Sequence, residues 1–231
     1  MTGTPRHASG TGSRAHESLY PFLYSGTTDL AAVLEEARRS TVAKAAEIME
    51  LRRVISARDG ARLKAAARDA AERFAAGGRL LAFGNGGSAT DAQQLATTFL
   101  NPGGAARPLP ALGLASDTSV VTALANDVGV EVMFARQIAA FGRRTDIALG
   151  LSTSGNSENL LRAFGEASRR GLLTVGIAGY EGGKMAELDS LDYLFVAPSS
   201  SVHRIQEAQT TIYHVWWELT LAALGWPEES R

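Results

Sequence analysis

Beyond residue 78 the chain alternates short apolar runs with segments of helical periodicity, and this alternation constrains its fold more than any other feature. The apolar runs are RLLAFG, PALGLA, DIALGLS, LLTVGIAG and DYLFVA. Such an alternation is typical of an α/β fold, in which crossover helices cover both faces of a parallel sheet. Ligands of these folds bind at the carboxyl ends of the strands, so the segments that follow each strand are the first candidates for a site.

The residues before this region carry a different pattern. Residues 1–18 have scarcely an apolar side chain and cannot repay the entropy of ordering, so we predict a disordered tail. From Thr28 apolar residues recur at helical spacing, with Asp29 as a plausible cap, and a second helix fits about 60–77. We therefore predict N-terminal helices within 19–77, serving as scaffold or subunit interface, that form one structural unit with a domain over 78–231. A last long helix is predicted over about 202–224.

Composition excludes several classes of function. The chain has no cysteine, which excludes thiolate chemistry and cysteine-based zinc sites. Its 23 Lys and Arg residues nearly balance 24 Asp and Glu residues, so no large net field attracts nucleic acid or an anionic membrane. No apolar run approaches the roughly 20 residues that cross a bilayer, and the start lacks the apolar centre of a signal peptide. We expect a cytoplasmic protein without membrane or direct nucleic-acid contacts.

Two turns that follow predicted strands carry polar or glycine-rich motifs. Gly84-Asn85-Gly86-Gly87-Ser88 lets the backbone turn sharply and opens a helix, whose free N–H groups suit an anion, although such a turn is often a plain connector. The second motif gathers hydroxyls, a glycine and a helix start within six residues. It consists of Ser152, Thr153, Ser154, Gly155, Asn156 and Ser157. Many neutral donors in one small volume suit a phosphate monoester, unless Ser157 merely caps the helix.

With these motifs in place, the chain resembles the SIS (sugar isomerase) domains, and among them the phosphoheptose isomerases. The resemblance runs from about residue 78 to 220. It rests on GNGGSATDAQ, on SDTSVVTALANDVGVEVMFARQIAAFGRRTDIALGLSTSGNS, on GGKMAELDS and on RIQEAQTTIYH. Several long motifs in one order are far more specific than any single motif.

The resemblance implies a three-layer sandwich with a five-stranded parallel sheet, in a homotetramer that isomerises sedoheptulose 7-phosphate to an aldoheptose 7-phosphate. It implies that Ser152, Thr153, Ser154 and Ser157 hold the phosphate. It also implies that the sugar is lined by Asn85, Gly86, Gly87, Ser88, Asn126 and Asp127, and that Gln206 reaches the substrate or a metal. As alternatives, Asn126 and Asp127 could form a turn before Gly129, and Gln206 could be an ordinary helix-surface amide.

One part of the family's pattern is missing. The isomerases that the chain resembles bind zinc through a His and a Glu four residues apart after the GNGGS turn, and a Gln and a His on the late helix. The late pair is present as Gln206 and His214, but the early positions hold Gln94 and Thr98. Gln94 is a poor zinc ligand and Thr98 is far too weak a base. The family therefore implies zinc, whereas these residues argue against it, and we assign no metal ligand beyond the remnant Gln206 and His214.

Isomerisation through an enediol needs an acid and a base, commonly a carboxylate and an imidazole. His214 is the candidate catalytic residue, with a structural histidine between helices as the alternative. Asp91, Glu207 and His203 are weaker candidates for a relocated base. Asp91 could instead be a helix-surface or first-turn carboxylate, Glu207 an interface or structural charge, and His203 a capping or phosphate-contact residue.

Three functions are compatible with the sequence. The first is a ketose–aldose isomerase acting on sedoheptulose 7-phosphate or a related phosphosugar. The second is a catalytically inactive protein that binds phosphosugars as a regulator or adaptor, as in a branch of homologues that associates with the replication initiator. The third is a structural subunit of an active paralogue. The missing pair leaves open whether the protein is an enzyme.

Overall fold

The first helix is longer than the sequence predicted. The structure, a computed structural model, describes residues 30–104 and 106–226, and α1 runs without interruption over Leu30–Ala75. The break that we expected before residue 60 is absent. Gly60 stays helical because Ile55 and Leu63 on either side of it are buried in the core, and such packing outweighs the weak helix propensity of one glycine.

The chain divides into two compact units, and the boundary between them falls after Ala46. In the first unit, described from residue 30, α1 carries ion pairs along its own surface, such as Arg38 with Glu35 at 2.7 Å. In the second unit, α1 shares one core with the sheet from Ile48 onward. The predicted tail over residues 1–18 and the cap at Asp29 lie outside the described residues.

All five apolar runs form strands, as predicted. They are β1 (Leu80–Gly84), β2 (Ala111–Gly113), β3 (Ile147–Ser152), β4 (Leu173–Gly179) and β5 (Tyr193–Ala197). The sheet is parallel throughout, in the order β2-β1-β3-β4-β5. Residues of β1, β3 and β4 are buried without exception, which explains why these strands appear as continuous apolar runs rather than alternating ones.

Helices cover both faces of the sheet and complete the three-layer α/β sandwich. They are α2 (Gly87–Leu100), α3 (Thr118–Asp127), α4 (Met133–Phe141), α5 (Glu158–Arg169) and α6 (Val202–Ala223), with short 3₁₀ turns at Val130–Val132 and Gly183–Glu187. The second part of α1 packs with α2 and α6 on one face, where the rings of Phe99 and Trp216 lie 5.5 Å apart. On the other face, α4 and α5 pack through Phe83, Phe134 and Phe164.

The strand order places a crevice between β1 and β3. These strands are neighbours, and Gly84 pairs with Leu151 at their carboxyl ends. The chain leaves β1 toward β2 on one side of the sheet and leaves β3 toward β4 on the other, so the connections that follow β1 and β3 diverge. Both sequence motifs lie at this point.

Among the helices in the described part of the chain, no single one is long and apolar enough to cross a membrane, and one bent pair, Thr118–Asp127 with Val130–Phe141, meets the length and composition requirement.

Candidate functional site

The turn between β1 and α2 depends on glycines at defined positions. A Cβ at Gly84 would lie 2.6 Å from the carbonyl oxygen of Ser88 and 2.9 Å from that of Leu151, so only glycine fits. Gly86 has φ of 54°, in the left-handed region, and precedes the first residue of α2. The Ser88 N–H then donates to the Asn85 carbonyl at 3.0 Å. The turn therefore brings its backbone close to the crevice.

Gln206 on α6 reaches this turn. A Cβ at Gly87 would lie 2.2 Å from Nε2 of Gln206, so the amide occupies the space that a side chain at residue 87 would fill. The Gln206 side chain is partly exposed. The structure thus brings α6 to the start of α2, in agreement with a Gln206 that faces the site rather than bulk solvent alone.

The loop between β3 and α5 holds its hydroxyls in a compact group. Ser152 is buried, and its Oγ accepts a hydrogen bond from the Gly155 N–H at 3.0 Å and lies 3.4 Å from Oγ of Ser157. Ser154 Oγ accepts from the Asn156 N–H at 3.2 Å. Ser157 precedes α5, but its side chain makes no capping hydrogen bond. The Ser157 hydroxyl is therefore not used as a helix cap, and the start of α5, where the first N–H groups of a helix have no partner within the helix, suits an anion.

The backbone of residues 182–185 packs against this hydroxyl loop. Gly155 has φ of 67°, and a Cβ there would lie only 1.9 Å from the Gly182 carbonyl oxygen. The Met185 N–H donates to the Gly155 carbonyl at 3.0 Å, and the Lys184 N–H donates to Oδ1 of Asn156 at 2.9 Å. The backbone of residues 182–185 therefore fixes the conformation of the hydroxyl loop.

Sequence reasoning missed a residue that joins the two motifs. Asn159, in the first turn of α5, pairs with Asn85 through two reciprocal amide hydrogen bonds of 2.9 Å. Asn159 is buried, whereas Asn85 is exposed. The only signal in the sequence was a polar residue on the otherwise apolar side of α5, and no local pattern could reveal a partner 74 positions away.

The predicted sugar contacts Asn126 and Asp127 form the last turn of α3. Both side chains are exposed, and Nδ2 of Asn126 donates to Oδ1 of Asp127 at 2.9 Å. They belong to a helix and not to the free turn before Gly129 that we considered. Their contact with a sugar remains a prediction.

Asp91 on α2 and His214 on α6 face each other across the helix pair. Burial raises the pKa of the Asp91 carboxyl above its ordinary value of 3.8, and the charge of His214 opposes part of that rise. The ring of Tyr213 lies 4.7 Å from that of His214, and burial raises the pKa of its phenol. Asp91 is thus a carboxylate that lies close enough to this imidazole for the two charges to interact.

The remaining base candidates lie in ordinary surface environments. Glu207 is exposed and pairs with Arg204 one helical turn earlier. His203 is exposed in the first turn of α6. The Thr98 hydroxyl donates to the Gln94 carbonyl at 2.9 Å, so its proton is already committed. These contacts favour the structural interpretation of Glu207 and give Thr98 no catalytic function.

The donors at the α2–α6 pair do not fit a zinc ion. Within residues 30–104 and 106–226, no group of three or more His, Cys, Asp or Glu side chains could hold a metal. Asp91 and His214 supply one carboxylate and one imidazole, and Gln94, Thr98 and Gln206 offer only neutral oxygen or nitrogen atoms, whereas zinc sites in proteins use three or four imidazole, thiolate or carboxylate ligands. We therefore assign no chemical step to a metal.

Comparison with known proteins gives a consistent result. The SIS domain model matches residues 45–179. Phosphoheptose isomerase of Pelodictyon phaeoclathratiforme is 44% identical over 180 residues, covering 77% of this chain and 85% of the relative. Phosphoheptose isomerase of Nitratidesulfovibrio vulgaris is 42% identical over a match that covers 80% of this chain and 89% of the relative. The solved phosphoheptose isomerase of Neisseria gonorrhoeae has a TM-score of 0.70 at 32% identity, covering 78% of this chain and 96% of its own.

Proposed function

Because the chain belongs to the SIS domain family, we propose that it is a sugar-phosphate isomerase of the phosphoheptose isomerase type, which interconverts sedoheptulose 7-phosphate or a related ketose phosphate with its aldose. The single observation that carries this proposal is the hydroxyl group of Ser157 at the start of α5, which does not cap the helix and lies 3.4 Å from Oγ of buried Ser152. Relatives above 40% identity are described as phosphoheptose isomerases, which favours this function over the regulatory alternative.

The phosphate group anchors the substrate in this proposal. Residues 152–157 contain no Lys or Arg, so binding relies on hydroxyls and on the N–H groups at the start of α5. We assign the phosphate to Ser152, Thr153, Ser154 and Ser157. The open chain of the sugar then extends along the crevice toward Asn85 through Ser88 and toward Gln206, with Asn126 and Asp127 as further contacts.

The reaction moves protons and requires no other reactant. One group takes a proton from carbon 1 of the ketose and returns it to carbon 2, while a second moves a proton from the oxygen on carbon 1 to that on carbon 2. We assign these transfers to the His214 and Asp91 pair, because it joins an imidazole to a carboxylate whose raised pKa favours proton exchange. The phosphate loop fixes the distance of the reacting carbons from this pair.

Assembly and location follow from the same family membership. We infer a homotetramer, a cytoplasmic location and no direct contact with nucleic acid. A charged phosphosugar does not diffuse through a bilayer, so enzyme and substrate must share a compartment. Light scattering on the purified protein tests the tetramer.

The decisive experiment incubates the purified protein with sedoheptulose 7-phosphate and follows the sugar by NMR, with and without added zinc. We expect slow formation of the aldose, and a decrease in kcat of at least about hundredfold for Asp91→Asn and His214→Gln, as for the loss of a general acid or base. Absence of aldose after long incubation at high protein concentration would refute turnover of this substrate.

Phosphate binding is tested separately by thermal shift, because a ligand that binds the folded state raises Tm even without turnover. Ser157→Ala should lose most of the shift that sedoheptulose 7-phosphate produces. Ser168→Ala is the matched control, since Ser168 is exposed near the opposite end of α5. An equal shift in both variants would show that the phosphate binds elsewhere.

A further inference from the structure

We propose that Asn159 is a positioning residue of the sugar-phosphate site, which holds the amide of Asn85 by two hydrogen bonds and thereby fixes the position and plane in which that amide meets the sugar. This inference deepens the proposed function and rests on it for the identity of the ligand. It goes beyond the proposed function by assigning a specificity role to a buried side chain that is neither a phosphate ligand nor a group in the proton transfer.

The geometry of the pair is unambiguous. Nδ2 of Asn85 donates to Oδ1 of Asn159 at 2.9 Å, and Nδ2 of Asn159 donates to Oδ1 of Asn85 at the same distance. Turning one amide alone by half a rotation would place two N–H groups or two carbonyl oxygens against each other, whereas turning both together keeps the two bonds. Because only 4% of Asn159 is exposed, water cannot readily replace a lost partner, so an Asn85 amide that turns alone or leaves the pair is strongly disfavoured.

The pair leaves half of the Asn85 amide available. An amide has two N–H donors and an oxygen with two lone pairs, and the reciprocal pair uses one of each. Asn85 is exposed, so its second N–H and second lone pair remain for a ligand. With Asn159 in place the Asn85 amide has a fixed position, so a sugar whose hydroxyl lies elsewhere cannot bond to it.

The pair also couples the two halves of the site. Asn85 follows β1, whereas Asn159 lies in the first turn of α5, two residues after Ser157 and just beyond the loop that follows β3. The two hydrogen bonds therefore join the sugar side of the crevice to the phosphate side across the β1–β3 junction. A site whose two parts are held at a fixed separation loses less conformational entropy on binding than one whose parts move independently.

The structural part of the test uses crystals of the ligand-free wild type and of N159L, which keeps a side chain of similar size without hydrogen-bonding groups. We expect the Asn85 amide of N159L to turn away or to occupy two orientations. An Asn85 amide that keeps its wild-type orientation in N159L overturns the proposal, whatever ligand the protein binds.

The functional part compares two ligands by calorimetry, sedoheptulose 7-phosphate and inorganic phosphate. Loss of a residue that orients a metal-binding side chain costs about 10- to 100-fold, and we expect a decrease of this size in affinity for the sugar phosphate in N159L. Inorganic phosphate, in the proposed function, needs only the hydroxyl loop and the start of α5, so its affinity should change less than about threefold, below the effect of one typical hydrogen bond. Equal losses for both ligands would overturn the proposal.

A third variant provides rescue by protonation. N159D keeps the shape of the side chain but places a carboxylate oxygen against Oδ1 of Asn85, where the wild type has an N–H donor. Its affinity for the sugar phosphate should therefore resemble that of N159L at neutral pH. A protonated carboxyl group has one donor and one acceptor and can pair with an amide as asparagine does. Affinity of N159D for the sugar phosphate, relative to wild type at the same pH, should therefore rise as pH falls. No such recovery in N159D would contradict the pairing argument.

The control for a merely structural effect is Thr174→Val. Thr174 is buried at the amino end of β4, and its hydroxyl bonds to Ser190 and Asp192, far from the carboxyl ends of the strands. This variant should lose stability without separating the two ligands. If the wild type binds no sugar phosphate, the proposed function fails, while the Asn85 orientation in N159L still decides the role of Asn159.

Discussion

Two regions meet at the carboxyl edge of the sheet, and they are built in different ways. The hydroxyl loop of residues 152–157 is fixed by backbone contacts, above all the approach of Gly155 to Gly182. The helix pair α2–α6 presents its chemistry through side chains on regular helices, including Asp91, Gln94 and His214. A change in the loop must move the main chain, whereas a change on the helices exchanges one side chain for another.

This difference explains how the chain can have a complete phosphate loop and an altered acid–base set. A helix backbone accepts Gln94 and Thr98 without rearrangement, since Gln94 is exposed and Thr98 bonds within its own helix. The β3–α5 loop has no comparable freedom at Gly155. Binding is therefore the structurally constrained property of this site, and turnover is the adjustable one.

The largest expected effect comes from Gly155→Ala, which tests whether the loop is constrained by its backbone. The methyl group would clash with the Gly182 carbonyl oxygen, and the residue would retain φ of 67°. Left-handed strain costs about 1–2 kcal/mol, and displacement of the loop adds to it. We expect a loss of at least about 2 kcal/mol in the free energy of unfolding, together with loss of sugar-phosphate binding. Urea unfolding and calorimetry measure the two effects.

Gly165→Ala is the matched control for this substitution. Gly165 lies within α5, and a Cβ there meets no atom within 4 Å. Replacing a helical glycine by alanine stabilises a protein by about 0.4–1 kcal/mol, so the control should change stability in the opposite direction. A Gly155 variant that unfolds like the control would remove the distinction between the two regions.

A large gain in zinc binding and turnover is expected from the double variant Q94H/T98E, which restores the His and Glu pair of the isomerases that the chain resembles. Because residues four apart share a helix face, the new side chains should join His214 and Gln206 and bind zinc. We expect stoichiometric zinc by elemental analysis and an increase in kcat of at least about tenfold, within the range of general acid–base catalysis.

The control Q93H/T97E adds the same side chains one position earlier on α2. Gln93 and Thr97 bond to each other, and Gln93 also bonds to Ser116, so this face points away from α6. It should bind no zinc and should leave turnover unchanged. Equal zinc binding by both double variants would show that the position on α2 does not matter. It would contradict the claim that exchanging side chains on the α2 face toward α6 changes turnover.

The sequence predicted the sheet well because its signal is local. Five buried strands require continuous apolar runs, and each run became a strand. The continuity of α1 could not be predicted, because Gly60 is a local signal for a break, whereas the packing of Ile55 and Leu63 that overrides it is tertiary. Sequence reasoning thus failed where long-range packing opposes a local preference.

The candidate site was also predictable where its signals are local and was missed where a contact joins distant residues. The two turns after β1 and β3 were identified from glycine and hydroxyl spacing, and the structure places both at the same crevice. The approach of Gln206 to Gly87 agrees with the resemblance, but the sequence alone left it open. The Asn85–Asn159 pair was missed because a reciprocal amide pair has no local pattern.

A smaller effect is expected from Gly87→Ala, which tests whether Gln206 serves the site. A flexible side chain can yield to the new methyl group, and alanine favours the first turn of α2, so stability should change by less than about 1 kcal/mol. Displacement of the Gln206 amide should weaken sugar-phosphate binding by about tenfold, the cost of one lost hydrogen bond. Gly86→Ala is the control: its methyl group would contact no neighbouring atom, but alanine is strained at the positive φ of residue 86, so this variant should lose stability without displacing Gln206. Unchanged affinity in Gly87→Ala would argue that Gln206 is only a helix-surface amide.

The smallest effect concerns stability and pH, and it comes from Asp91→Asn. The pKa of Asp91 is raised in the fold, chiefly by burial. The folded state therefore keeps this proton at a pH where the unfolded chain has already lost it, so the contribution of Asp91 to stability is fully present below pH 3.8 and is lost as pH rises through the folded pKa.

Asparagine carries no charge at any pH, so Asp91→Asn removes this loss. Relative to wild type, the variant should gain Tm as pH rises from below 3.8 to neutral, reaching at most about 4 °C, the shift that 1 kcal/mol produces in a chain of this size. Calorimetric scans across that range measure it. A wild type that is more stable than Asp91→Asn at neutral pH would mean that the attraction between Asp91 and His214 outweighs the cost of burial. The pair would then be a structural ion pair, and the helix region would be as constrained as the loop.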